Sequence, residues 1–146
     1  MNRWISDLRA LAERESTAPY DAQIIRQVVR LFTKDPARVV IETPYAGDVE
    51  RNEAYAKRAM YDSLRRGEAP FLSHLLYTMV LCDDVEADRK LGIDAGLTWG
   101  GVSSFTAVYD DYGVTDGMWE GIERAKAEGR RVVIRRIGEN PEALAA

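Results

Sequence analysis

The sequence predicts an α/β fold: a largely parallel sheet of about four to five strands with helices on both faces, preceded by a two-helix N-terminal extension. Three observations carry this. Short apolar runs recur at residues 39–42, 69–76, 105–109 and 131–136, each bounded by Gly, Pro or charged residues, which is the pattern of buried strands. Between them lie segments whose apolar residues repeat at three- to four-residue spacing, the period of a helix with one buried face. The resulting order, αα-βαβαβαβ, requires crossover connections and therefore parallel strands layered between helices.

Residues 3–15 put Trp4, Ile5, Leu8, Leu11 and Ala12 on one helical face, and Thr17-Ala18-Pro19 ends that helix. Ile24, Ile25, Val28, Val29 and Phe32 give a second stripe over residues 21–33. Residues 1–37 are thus a helical extension that covers a sheet face or a partner subunit, and residues 38–146 form one compact α/β domain. Val39-Val40-Ile41-Glu42 reads as a central strand, stopped by Pro44, which has no N–H to donate. Gly47 and Asp48 cap a helix over 49–66, closed by Gly67. The run 69–76 is short enough for a strand, or a strand plus a loop, and carries His74 at its carboxyl end. Residues 82–86 lead into a helix ending near residues 99–101, in which Gly92, Gly96 and Gly100 permit close packing against the sheet or a second subunit. Strand 105–109 follows. Thr115 then caps a helix to about residue 128 with Met118, Ile122 and Ala125 inward, Gly129 closes it, and strand 131–136 leaves 138–146 as a frayed tail.

Composition narrows the function classes. A chain of 146 residues with 46% hydrophobic and 30% charged residues is an ordinary globular domain able to bury a core. With 24 acidic against 20 basic side chains, a net charge of -4 and no basic cluster, it is not a binder of duplex nucleic acid. Cys82 is the sole cysteine, so there is no internal disulfide and no zinc-ligand spacing, and a reducing, cytoplasmic setting is expected. No apolar run approaches the ~20 residues of a membrane span, and the N-terminus lacks the apolar core of a signal peptide. The run Asp83, Asp84, Glu86, Asp88 lacks the alternation and glycine of a calcium loop. No metal and no cofactor are expected.

In open α/β sheets, ligands bind at the carboxyl ends of the strands. Glu42 ends an apolar strand there, where an unpartnered carboxylate is costly, so it is a candidate for chemistry or for a structural hydrogen bond to the Tyr45 loop. His74, the only histidine, is a proton-transfer candidate or a satisfied core residue. Glu68 is an orienting carboxylate or a solvated loop residue, and Asp110, beside Asp111, lies on the same ligand-side edge. Arg51 and Asn52 occupy the first turn of a helix, where an anion can be held. Alternatively, Arg51 pairs with Glu50 or Glu53.

Four motifs add a resemblance. Ile41-Glu42-Thr43-Pro44-Tyr45-Ala46-Gly47-Asp48-Val49-Glu50-Arg51-Asn52, Gly67-Glu68-Ala69-Pro70 with His74-Leu75-Leu76-Tyr77, Gly92-Ile93-Asp94-Ala95-Gly96-Leu97-Thr98-Trp99, and Gly113-Val114-Thr115-Asp116-Gly117-Met118 resemble an uncharacterised family common in phages and actinobacteria. That family is similar to the nucleoside 2-deoxyribosyltransferase superfamily, which includes deoxynucleotide N-glycosidases. The resemblance covers residues 38–136. It implies a Rossmann-like sheet, a small-molecule nucleoside or nucleotide as partner, homo-oligomers, and chemistry at the N-glycosidic bond, where a glutamate attacks C1′ and an aspartate protonates the departing base. It also implies ligand contacts by Thr43, Pro44, Tyr45, Gly47, Arg51, Asn52, Asp94, Thr115, Gly117 and Met118. The nucleophilic glutamate falls on Gly121, however, and the aspartate six residues earlier on Thr115. Three readings follow: an enzyme with a relocated carboxylate, Glu42, supported by His74, Glu68 and Asp110; a non-catalytic nucleotide or ribosylated-metabolite binder; or an interaction or inhibitory protein.

Overall fold

A computed structural model describes residues 3–14, 16–32 and 36–138. Its elements are α1 (Arg3–Ala12), α2 (Pro19–Phe32), β1 (Arg38–Glu42), α3 (Val49–Arg65), β2 (Ala69–Phe71), α4 (Ser73–Leu76), a 3-10 turn (Tyr77–Met79), α5 (Glu86–Gly100), β3 (Phe105–Tyr109), α6 (Asp116–Ala127) and β4 (Val132–Arg135). The four strands form one sheet in the order β2-β1-β3-β4, with every neighbouring pair parallel. The predicted α/β class, the parallel sheet and the helical extension are therefore observed.

Side chains alternate across the strands, and the two faces are filled differently. Val39, Ile41, Phe105, Ala107 and Tyr109 pack with Tyr55, Ala56 and Ala59 of α3. Val108 faces the other way, onto Met118 and Ile122 of α6. Complete burial of side chains such as Tyr55, Ile41 and Val39 contributes roughly 1.5–3 kcal/mol each relative to exposure. The chain turns back at β1, which has β2 on one side and β3 on the other. That is the topological switch point of a doubly wound sheet, where the loops after the two central strands diverge and leave a crevice.

The second run differs from expectation. Pairing with β1 ends at Val40↔Phe71, and the chain then coils into α4, so His74 stands in a helical turn after the strand and not at the strand's end. Residues 73–76 contain no β-branched side chain that would favour extension, and Thr78 closes the turn by donating from Oγ1 to the His74 carbonyl at 2.6 Å. The tail beyond Gly138 and the expected helix end at Thr33 lie outside the described residues. No described helix is long and apolar enough to cross a membrane.

Glu68 lies just before β2 and joins a buried network on the α3 face. Arg135 donates to it twice, at 2.8 and 2.7 Å, and Ser63 donates at 2.7 Å. Arg135 also donates to the Tyr109 hydroxyl, which in turn donates to Asp62. Breaking one partner of a buried pair leaves the other charge uncompensated. Glu68→Gln is accordingly expected to lower unfolding free energy by on the order of 3 kcal/mol in urea titration, with turnover per folded molecule unchanged. Loss of turnover in a fully folded variant would put Glu68 in the chemistry instead.

Candidate active site

Glu42 ends β1 in register with Val108, so its side chain takes the α6 face of the sheet. There it meets Gly121, which lies on the inward face of α6 one turn before Ala125. A Cβ built on Gly121 would overlap Glu42 Oε1 and stand 2.6 Å from Cδ and 3.2 Å from Oε2. The Glu42 carboxyl group therefore fills the space that a side chain at position 121 would need, and any residue larger than glycine there would push it aside. The carboxyl makes no hydrogen bond or ion pair among the described residues. Burial pushes its pKa up from 4.5 to about 8, with Arg130 pulling the other way and Glu120 adding to the rise. Although its side chain keeps some exposure, the absence of a hydrogen-bonding partner leaves burial as the deciding influence.

The loop after β1 is fixed by its neighbours. Thr43 is buried, and its Oγ1 lies 2.7 Å from His74 Nε2. Tyr45 packs edge-on against the same imidazole, with ring centroids 6.1 Å apart. Burial lowers the His74 pKa from 6.5 to about 4, so the ring is neutral at ordinary pH and exchanges hydrogen bonds without carrying charge. Pro44 is buried as well, and Gly47 takes φ +92 at the turn into α3, a conformation that suits glycine. Asp48 then caps the helix, accepting from Arg51 N at 3.2 Å.

Asn52 is buried and donates through Nδ2 to the carbonyls of Tyr45 and Ala46 at 3.0 and 2.9 Å, clamping the loop. Its Oδ1 accepts from the Arg51 guanidinium, which lies over the Tyr112 ring, 4.6 Å from its centroid. Arg51 thus uses neither Glu50 nor Glu53.

Asp110 and Asp111 leave β3 on the same edge and divide their work. Arg136 donates to Asp110 at 2.8 and 3.1 Å and holds its carboxyl below the usual range. Asp111 accepts from Tyr55 OH at 2.5 Å and from the backbone N–H groups of Ile137 and Gly138, tying α3 to the exit of β4. Thr115 caps α6 by accepting from Met118 N, and Met118 is buried in the core. Gly117 lies near Arg89, whose Nη2 would be 3.7 Å from an added Cβ. Asp94 pairs with Lys90 at 3.0 Å on an exposed stretch of α5.

The structure thus gathers Glu42, Thr43, Tyr45, Asn52, Arg51 and Asp110 at the ends of the two central strands. His74 is drawn in through Thr43, whereas Glu68 is held on the other face and Asp94 on the outer surface of α5. Tyr112, which lies under the Arg51 guanidinium and 4.7 Å from the Tyr55 ring centroid, was not singled out from sequence, because its place depends on packing against α3 that no local pattern encodes. Arg89 pairs with Asp83 at 2.7 Å. Among the described residues, no group of three or more His, Cys, Asp or Glu side chains could hold a metal ion.

Comparison with known proteins agrees with this architecture. Residues 37–135 match the family described as Domain of unknown function (DUF7768). No curated protein matches the chain. A solved structure of a 2-deoxyribosyltransferase from the psychrotolerant bacterium Bacillus psychrosaccharolyticus is similar with a TM-score of 0.50 at 15% identity, over 71% of this chain and 76% of that one. At that identity the likeness concerns the fold.

Proposed function

The chain belongs to the DUF7768 family, and we propose that it is a nucleoside- or nucleotide-processing enzyme acting at the N-glycosidic bond, with Glu42 as the reactive carboxyl group. One observation carries the reading. The resemblance to the nucleoside 2-deoxyribosyltransferases puts their nucleophilic glutamate on Gly121, and the Glu42 carboxyl occupies the space beside Gly121. The acid is supplied from β1 in place of α6, at the switch point where a doubly wound sheet binds its ligand.

In this reading the ionised Glu42 attacks C1′ of the sugar as the C1′–N bond breaks, and the bonding pair leaves with the base. Water, or a second base, then displaces the carboxylate from C1′. The cation-like sugar that forms on the way is the species a nearby carboxylate stabilises. His74, held neutral, positions the loop through Thr43. Asp110 stands at the same edge as a carboxylate kept ionised by Arg136. Thr115 cannot protonate the departing base, so this proton comes from solvent or from another group at the edge.

A second reading has its own support. An unpartnered carboxyl group that is neutral at pH 7 can donate a hydrogen bond to a nucleotide without cleaving it. Incubation with pools of nucleosides, nucleotides and NAD, followed by mass spectrometry, separates the two. Free base or exchanged nucleoside is the expected result. Unchanged pools together with a nucleotide that co-purifies would replace catalysis with binding.

A further inference from the structure

We infer a second ligand site, for a phosphate-bearing small molecule, in the cavity between the N-terminal helical hairpin and the α3 face of the sheet. The cavity has a volume of about 460 Å³ and is lined from α1 and α2 on one side and from β3, β4 and the end of α3 on the other. A volume of that order suits a nucleotide-sized ligand. It lies on the opposite side of the sheet from Glu42, whose side chain faces α6.

Its charge is unbalanced. Arg135 is neutralised by Glu68, and Arg66 is bridged to Asp62 and Glu13. Arg9, Arg26 and Arg131 also line the space and form no ion pair among the described residues. Arg131 instead has its guanidinium carbon over Phe105, 4.7 Å from the ring centroid, a contact with the ring face that leaves its N–H groups available for hydrogen bonding.

Arg26 supplies the independent sign. Its Nη1 reaches the Ala12 carbonyl at 3.4 Å, but its Nε is buried and has no hydrogen-bond partner among the described residues. A buried charged donor left unsatisfied is costly; Nε is closed off from the cavity as the side chain stands, and a turn of the guanidinium would bring Nε and Nη out together as the fork that matches two phosphate oxygens. Three guanidinium groups that line one cavity without an ion pair among the described residues call for a ligand with several anionic oxygens. Because those groups come from α1, α2 and the strand β4 approach, the ligand would tie the extension to the domain.

Inorganic pyrophosphate is the probe, and isothermal calorimetry on the full chain is the measurement. Wild-type protein is expected to bind it with a dissociation constant below roughly 1 mM. Arg26→Lys keeps the charge but removes the Nε fork and should weaken binding by about tenfold or more. Arg131→Gln, at an exposed position that folding tolerates, should do the same. Arg51→Gln, at the sheet edge, should leave affinity unchanged. Absence of binding overturns the site, as does affinity that is indifferent to Arg26 and Arg131. Affinity lost with Arg51 alone would move the anion to the carboxyl edge and overturn it equally.

Discussion

Replacement of Glu42 by glutamine is expected to slow base release from a deoxynucleoside or deoxynucleotide by about 10²–10⁴-fold, the contribution typical of a positioned acid or base, while ligand affinity changes by no more than several-fold. The amide preserves the shape that fits against Gly121 but can neither attack C1′ nor exchange a proton. The loss should therefore appear in kcat, with a dissociation constant from equilibrium dialysis close to that of the wild type. Because burial sets the carboxyl pKa near 8, kcat/KM of the wild type should rise with pH and level off above that value if the ionised form is the nucleophile. A profile that falls through the same pH would make Glu42 the proton donor to the base. Gly121→Ala offers a check that leaves Glu42 in place: the new methyl group would stand 2.6 Å from Cδ, so the carboxyl must shift and the rate should fall in the same direction. A glutamine variant that turns over normally removes Glu42 from the chemistry.

How much of this was legible in sequence depended on how local the causes are. Residues 105–109 are five buried positions closed by two aspartates, and burial from both faces produces a continuous apolar run that can be read directly. The cap at Thr115 and the inward set Met118, Ile122 and Ala125 were equally visible, because capping and helical period act within a few residues. His74 was misplaced because a short apolar run does not distinguish a strand from a helical turn. The choice was made by where pairing with β1 ends. Glu68 pointed toward a loop or a site until its partner was known, and Arg135 lies 67 residues away. The meeting of Glu42 with Gly121 is of the same kind. An acid at the end of the apolar strand β1 and a missing acid on α6 were each evident from sequence. Only the register β1↔β3 and the packing of α6 on Val108 bring them to one point.

The same carboxyl group should leave a mark on stability. In the folded chain Glu42 ionises near 8, against 4.5 for an ordinary glutamate. Between those values the unfolded state binds fewer protons than the folded one, so stability falls as pH rises and levels off above about 8. The full cost of ionising the buried group is on the order of 5 kcal/mol. His74 acts in the opposite direction: its pKa drops from 6.5 to about 4 on folding, so its contribution is complete above 6.5 and is lost as pH falls through 4. In the window between 4.5 and 6.5 the two slopes oppose each other, and above 6.5 Glu42 acts alone. Urea unfolding is therefore expected to show wild-type stability dropping by about 2 kcal/mol from pH 6.5 to 8. Glu42→Gln should be flat over that interval and exceed the wild type by several kcal/mol at about pH 8.5. Equal stabilities at both ends of the window would mean that the carboxylate is ionised in the folded state and has a compensating partner. A stabilised but inactive glutamine variant is the outcome that ties the two expectations together. In the proposed reading the site would keep an acid that folding resists, because the chemistry would require it.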